Sequence, residues 1–169
     1  MTIRLARANE LEACRAVEAA SGAVFKDTPY PQVADAEPNA IEVYRAAYVD
    51  KLLWVAEDRA GGIAGQLTAA EGPKGLLIAQ IDVMPDAQGQ GLGKALIAAC
   101  EAEARERSLP FLWLRTFRDI PWNAPFYARL GFEITEGGVW GDPDTDVRAH
   151  EVASGLDPDA RVTMVKRLS

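Results

Sequence analysis

The residues best suited to chemistry lie in one run, Ile81-Asp82-Val83-Met84-Pro85-Asp86-Ala87-Gln88-Gly89-Gln90-Gly91-Leu92-Gly93-Lys94-Ala95. An apolar stretch ends at Pro85, which neither continues a strand ladder nor fits a helix interior. Three glycines at alternate positions follow, and a helical pattern opens directly from them. Gly89, Gly91 and Gly93 let the backbone bring several N–H groups to one point. A helix start already leaves such donors unpaired and carries partial positive charge. The result is a cradle for an anion, best matched to a phosphate or pyrophosphate. Lys94 adds a full charge in the first helical turn. Close packing alone also selects such turns, so packing and anion binding are both open at this point.

Two other phosphate loops do not fit. A nucleotide P-loop needs G-x-x-x-x-G-K-[ST], and here Gly93-Lys94 is followed by Ala95. A dinucleotide fingerprint needs G-x-G-x-x-G in the first strand–helix unit, whereas Gly89-x-Gly91-x-Gly93 has another spacing and comes about fourth in strand order.

The elements that must position this run alternate between helix and strand. A first helix is expected from Asn9 to Ala20, with Asn9 and Glu12 as a capping-box-like start. Ser21 to Asn39 contains Pro29, Pro31 and Pro38 and reads as a long irregular connection. A second helix covers Ala40 to Val49. Strands follow at Leu52–Val55, Ile63–Ala69 and Leu76–Val83, joined by turns at Asp58–Gly62 and Glu71–Gly75. Gly93 to Arg107 is helical. Phe111-Leu112-Trp113-Leu114 is continuously apolar, so that strand is expected to be covered on both faces. A short helix over Asn123–Leu130 stops at Gly131, and a strand follows over Phe132–Val139. Asp142-Pro143 opens a surface helix ending near Gly155, and Arg161–Lys166 is a final strand. The order is βα, a β-meander, then βαβαβ. It predicts an α/β class with a mixed sheet and helices on its faces.

The bulk numbers set limits. The 169 residues fit one domain, 1–169, able to bury roughly two-thirds of its unfolded surface. A net charge of −7 argues against a general nucleic-acid binder and is compatible with a cationic partner. Cys14 and Cys100 have neither metal nor disulfide spacing, and His150 is the single histidine, so no metal site is expected. No apolar run reaches about 18 residues and no secretory leader pattern is present, so no membrane partner is expected and the cytoplasm is the default.

Three segments together carry a resemblance. Gln88-Gly89-Gln90-Gly91-Leu92-Gly93 matches the [RQ]-x-x-G-x-[GA] pyrophosphate loop of the GNAT superfamily of N-acetyltransferases. Ile81-x-Val83-x-Pro85 resembles its splayed fourth strand. Phe126-Tyr127-Ala128-Arg129-Leu130-Gly131-Phe132 is similar to its F-Y-x-x-x-G-F segment. The resemblance covers Trp54 to Phe132 well, the first helix loosely and the tail poorly. It implies a GNAT-like fold and transfer of acetyl from acetyl-CoA to a primary amine, small molecule or peptide, without a covalent enzyme intermediate. By similarity the N–H groups of Gln88, Gly89, Gln90, Gly91, Leu92, Gly93 and Lys94 hold the CoA pyrophosphate. Ile81 and Val83 pair with the pantetheine arm where the fourth and fifth strands splay, and the Ile81 amide is an oxyanion donor. Tyr127 takes the position of the general acid that protonates the CoA thiolate.

Some features depart from the family pattern. An Asn seven residues before the Tyr often contacts CoA; Ile120 stands there, and Asn123 is only four before. Asn123 is therefore a CoA contact, an ordinary N-cap, or both. The family often places a Glu base on the fourth strand, but this strand has Gln80 and Asp82. Asp82, Glu18 on the first helix, His150 and a water chain are all open as the proton acceptor. Phe25, Tyr30, Arg118 and Trp122 are candidates to line the acceptor pocket. The alternatives to catalysis are a non-catalytic acyl-CoA sensor and an interaction module that docks through the acidic tail, Asp142 to Asp159. A homodimer follows only by analogy with the fold.

Overall fold

A computed structural model describes residues 1–135 and 142–168. Its strands are β1 (Thr2–Leu5), β2 (Leu53–Glu57), β3 (Ile63–Gly72), β4 (Gly75–Val83), β5 (Phe111–Phe117), β6 (Glu133–Thr135) and β7 (Arg161–Arg167). Its helices are α1 (Leu11–Ser21), α2 (Ile41–Val49), α3 (Leu92–Glu106), α4 (Ala124–Ala128) and α5 (Asp142–Ala153). The strands form a mixed seven-stranded sheet in the order β1-β2-β3-β4-β5-β7-β6. β4 and β5 run parallel, through Leu76–Leu112 and Leu77–Trp113. The expected α/β class and mixed sheet are present. The strand expected over Phe132–Val139 is seen as β6, and positions 136–139 lie outside the described residues.

The chain gathers into two compact units: Met1–Ala70 with Ile78–Glu103, and Glu71–Leu77 with Ala104–Ser169. In the first unit α1 turns Leu11, Cys14 and Val17 inward. Leu11 and Cys14 meet Tyr44 and Ala47 of α2 and Leu53 and Val55 of β2 in one apolar cluster. The inward residues of α1 recur at three-residue steps, the spacing of one helix face.

The start of α1 differs from expectation. A 3-10 turn over Ala8–Glu10 precedes it. Glu10, not Glu12, reaches back: its carboxylate accepts the Arg7 N–H at 2.7 Å and two guanidinium bonds from Arg4, at 2.6 and 2.9 Å. A carboxylate three residues beyond Arg7 meets an orphan backbone donor, whereas Asn9 lies inside the turn. The Arg4 guanidinium holds the Glu10 carboxyl down at about 2, below its ordinary 4.5. Because the folded value is depressed, the stability Glu10 contributes is complete above 4.5 and is lost as pH falls through about 2. Urea midpoints measured across that window should fall less steeply with acid in Glu10→Gln than in the parent chain.

The connection expected to be irregular contains two further 3-10 turns, Gly22–Phe25 and Pro31–Val33. Its far end is pinned to α1, where Arg15 Nε donates to the Asn39 carbonyl at 3.0 Å.

In the second unit β5 is buried from Leu112 to Phe117, as its apolar run implies. β7 pairs with β5 over seven residues and with β6 over three, so β7 lies between them. α5 carries the buried Glu151 as well as the exposed His150. The helix expected to be superficial is thus anchored by a charge. No helix among the described residues is long and apolar enough to cross a membrane.

Candidate active site

The anion cradle belongs to the first unit. β4 ends at Val83, and a 3-10 turn, Pro85–Ala87, separates it from the glycines. Gly89 and Gly91 have φ of 75° and 82°, values that L side chains avoid. A Cβ at either would touch nothing within 4 Å, so the space in front of the turn is open. The first hydrogen bond into α3 runs from Ala95 N–H to Gly91 O at 3.0 Å. No backbone acceptor among the described residues takes the N–H of Gly89, Gln90, Gly91, Leu92, Gly93 or Lys94. These six donors, an open face and the exposed Lys94 fit a pyrophosphate. The glutamines brace the turn: Gln88 Nε2 donates to the Val83 carbonyl at 3.2 Å, and Gln90 Nε2 to the Asp86 carbonyl at 3.3 Å. The first of these ties the cradle to the end of β4.

Ile81 and Val83 are half-buried on β4, and Asp82 between them points the other way. Its carboxyl is 7% exposed and meets Ser21 of α1, Gln66 of β3 and Gln80 of its own strand. Glu18 of α1 is nearby, bonded by Asn39 and by the Tyr44 hydroxyl. Burial pushes the Asp82 carboxyl up from the ordinary range, and burial followed by the neighbouring Asp82 pushes up Glu18, against the pull of its Tyr44 bond. Tyr44, Ser21, Asn39 and Gln66 escaped the sequence reading. Nothing local marks them, because their partners are 16 to 61 residues away.

Tyr127 belongs to the second unit. It is 8% exposed on α4, packed edge-on against Phe126 at 5.2 Å and Phe132 at 5.8 Å. The helix ends at Ala128, two residues short of the expected Leu130, and Gly131, with φ of 88°, lies in the turn that follows. Asn123 stands at the N-cap position, yet its side chain makes no capping bond. Its main-chain carbonyl accepts the N–H groups of Phe126 and Tyr127, at 2.8 and 3.1 Å, so the start of α4 is held by backbone alone. The ordinary N-cap reading of the Asn123 side chain is therefore corrected.

The remaining candidates divide by unit. Phe25 and Tyr30 are half-buried in the first. Arg118 and Trp122 are exposed in the second, Trp122 by 45%. His150 is exposed on α5. Among the described residues no group of three His, Cys, Asp or Glu side chains could hold a metal ion.

The acetyltransferase (GNAT) domain family matches residues 50–134. Solved structures share the fold. One is the Mycobacterium tuberculosis protein Rv2747, crystallised with CoA, which is 21% identical with a TM-score of 0.73 over 100% of both chains. The N-acetylglutamate synthase of Neisseria gonorrhoeae, with CoA and N-acetyl-glutamate, is 18% identical with a TM-score of 0.72, over 99% of this chain and 35% of its own. PaiA N-acetyltransferase from Thermoplasma acidophilum, with coenzyme A, is 14% identical with a TM-score of 0.71, over 99% and 98%.

Proposed function

Because the chain belongs to the GNAT acetyltransferase family, we propose that it moves acetyl from acetyl-CoA to a primary amine by direct attack. The observation that carries this reading is the open turn of six orphan N–H donors at the head of α3. Such donors gather negative charge without a metal, which suits a pyrophosphate. Gln88 to Lys94 grip that end of the cosubstrate. Ile81 and Val83 hold the pantetheine arm through their main chain, and the Ile81 amide faces the thioester oxygen as negative charge develops. The acceptor must lose a proton, since an ammonium has no lone pair. Tyr127 gives its phenolic proton to the departing thiolate. The motif match and its burial among aromatic rings support that role. The relatives named above were crystallised with CoA, and two of them are an N-acetylglutamate synthase and an N-acetyltransferase, which supports an amine as acceptor.

A thermal melt with acetyl-CoA tests the cradle. At a hundredfold excess over Kd the stabilisation should be about 2.7 kcal/mol. Gly91→Trp places a bulky side chain in the open face and at a φ that disfavours it, so the shift should vanish. No shift in the parent chain would sink the cosubstrate assignment.

A further inference from the structure

The first unit holds a buried carboxyl, Asp82, and a half-buried one, Glu18, that no cation among the described residues balances. Asp82 accepts from, or donates to, Ser21 Oγ at 2.6 Å, and it meets Gln66 Nε2 at 2.7 Å and Gln80 Nε2 at 3.1 Å. Glu18 accepts from Asn39 N at 3.1 Å, Asn39 Nδ2 at 2.9 Å and the Tyr44 hydroxyl. All of these partners are neutral. Among the described residues no Lys or Arg pairs with either carboxyl. Arg15, one turn from Glu18, gives its Nε to the Asn39 carbonyl instead. Buried charge without a counter-charge is costly, and proteins relieve it by neutralising the group or by binding a cation.

Counting hydrogens separates the two groups. Ser21 Oγ lies 2.6 Å from Asp82 Oδ1 and 2.9 Å from the Glu18 carbonyl oxygen. A hydroxyl has one hydrogen and can fill one of those bonds as donor. A hydrogen on Asp82 fills the other: Asp82 donates to Ser21, and Ser21 donates to the main chain of Glu18. The Glu18 carboxyl faces donors alone, which suits an ionised group. It is also the more exposed of the two, so a ligand can reach it.

Resting on the acetyl-transfer reading, we propose that Glu18 takes the proton from the attacking amine, and that protonated Asp82 is a positioning residue that fixes Glu18 through Ser21. An N–H bond of the acceptor ammonium breaks and an O–H bond forms on Glu18. The freed lone pair forms the C–N bond to the acetyl carbon, the C–S bond breaks and the thiolate takes the Tyr127 proton; the second N–H proton then leaves the acylated nitrogen and restores the Tyr127 phenol. Glu18 is at once the counter-ion of the arriving ammonium and its base. Burial raises its proton affinity, which brings a carboxylate toward the pH at which an amine can be relieved of its proton. The other titratable groups around it keep their charge near neutrality. From α1, burial pushes the Cys14 thiol up to about 12; from α2, burial and Glu18 push the Tyr44 phenol up. Asn39, Gln66 and Gln80 do not titrate.

The two carboxyls should respond unequally to removal of charge. CoA release from acetyl-CoA is followed across pH with spermidine, L-lysine and glycinamide as probe amines. Glu18→Gln keeps the shape and removes the base, so kcat should fall about 100-fold or more and the acid limb of the profile should disappear. Asp82→Asn keeps a neutral donor toward Ser21 but disturbs how Glu18 is held, so kcat should fall less than in Glu18→Gln and the acid limb should remain. Carbon NMR of the side-chain carboxyls in the full chain should find Asp82 protonated and Glu18 ionised at pH 7. A wild-type rate and limb in Glu18→Gln, an equal loss in both variants, or an ionised Asp82 at pH 7 would overturn the proposal. The acetyl-CoA melt fails separately: if the parent shows no shift, the cosubstrate reading falls, and the carboxyl spectra still decide where the proton sits.

Discussion

Replacing Glu151 by alanine should lower the unfolding free energy by about 3–5 kcal/mol, because it removes the buried carboxylate that Arg115 and Arg161 share. The Glu151 carboxylate bridges two guanidiniums. Arg115 Nε lies 2.9 and 3.0 Å from its two oxygens, and Arg161 Nε lies 2.8 Å from one of them. The Arg115 and Glu151 side chains are 2% and 4% exposed. Arg115 also donates to Thr163 Oγ1 at 2.9 Å and to the Pro158 carbonyl at 2.8 Å, so it is locked in place and cannot swing to water. Arg161 is stacked on Phe117 at 4.8 Å, and burial pulls its pKa down while Glu151 holds it up. Removing Glu151 leaves two positive groups facing each other, with β5, β7 and α5 built around them. The comparison variant is Glu71→Ala. Glu71 pairs with Arg107 at 2.9 Å but has a 48% exposed side chain, so its loss should be within about 0–1 kcal/mol. Urea unfolding of both variants checks the contrast, and equal midpoints would show that the triad contributes no more than a surface pair.

Tyr127→Phe should cut kcat by about 100- to 10,000-fold, the usual range for losing a positioned proton donor. The ring remains, so its packing against Phe126 and Phe132 and the stability of the second unit should persist. Acetyl-CoA affinity should also persist, because the donors proposed to grip the cosubstrate lie on the turn before α3. A fall in kcat with an unchanged melt shift supports proton donation to the thiolate. A wild-type kcat would leave Tyr127 as a packing residue only. Loss of both rate and melt shift would show that the hydroxyl acts in binding.

What could be read from the sequence follows the range of the interactions. The cradle was legible because strand, proline, glycines and helix are adjacent, and the positive φ values of Gly89 and Gly91 are a local demand. The apolar run at Phe111 was legible for the same reason. The start of α1 was placed two residues early, at Asn9 rather than Leu11, since Asn9 and Glu10 offer equally good local signals and the choice falls to Arg4, which clamps Glu10. Glu18 and Asp82 were both visible as carboxylates. Their coupling was not, because Ser21, Asn39, Tyr44 and Gln66 reach them only once the first unit has folded. The triad of Arg115, Glu151 and Arg161 is equally distant in sequence, and α5 consequently looked like a surface helix.

The placement of β7 between β5 and β6 sets an order of events during synthesis. β5 and β6 leave the ribosome first, yet neither has the other as a neighbour in the sheet. Until Arg161–Arg167 emerges, the edge of β5 that β7 will cover has its N–H and C=O groups unsatisfied beside a strongly apolar strand. The nascent chain can complete the first unit while the second waits for its closing strand. A ribosome stalled before Arg161 would therefore present one folded unit and one exposed strand edge, the state in which this chain is most open to chaperones and to aggregation.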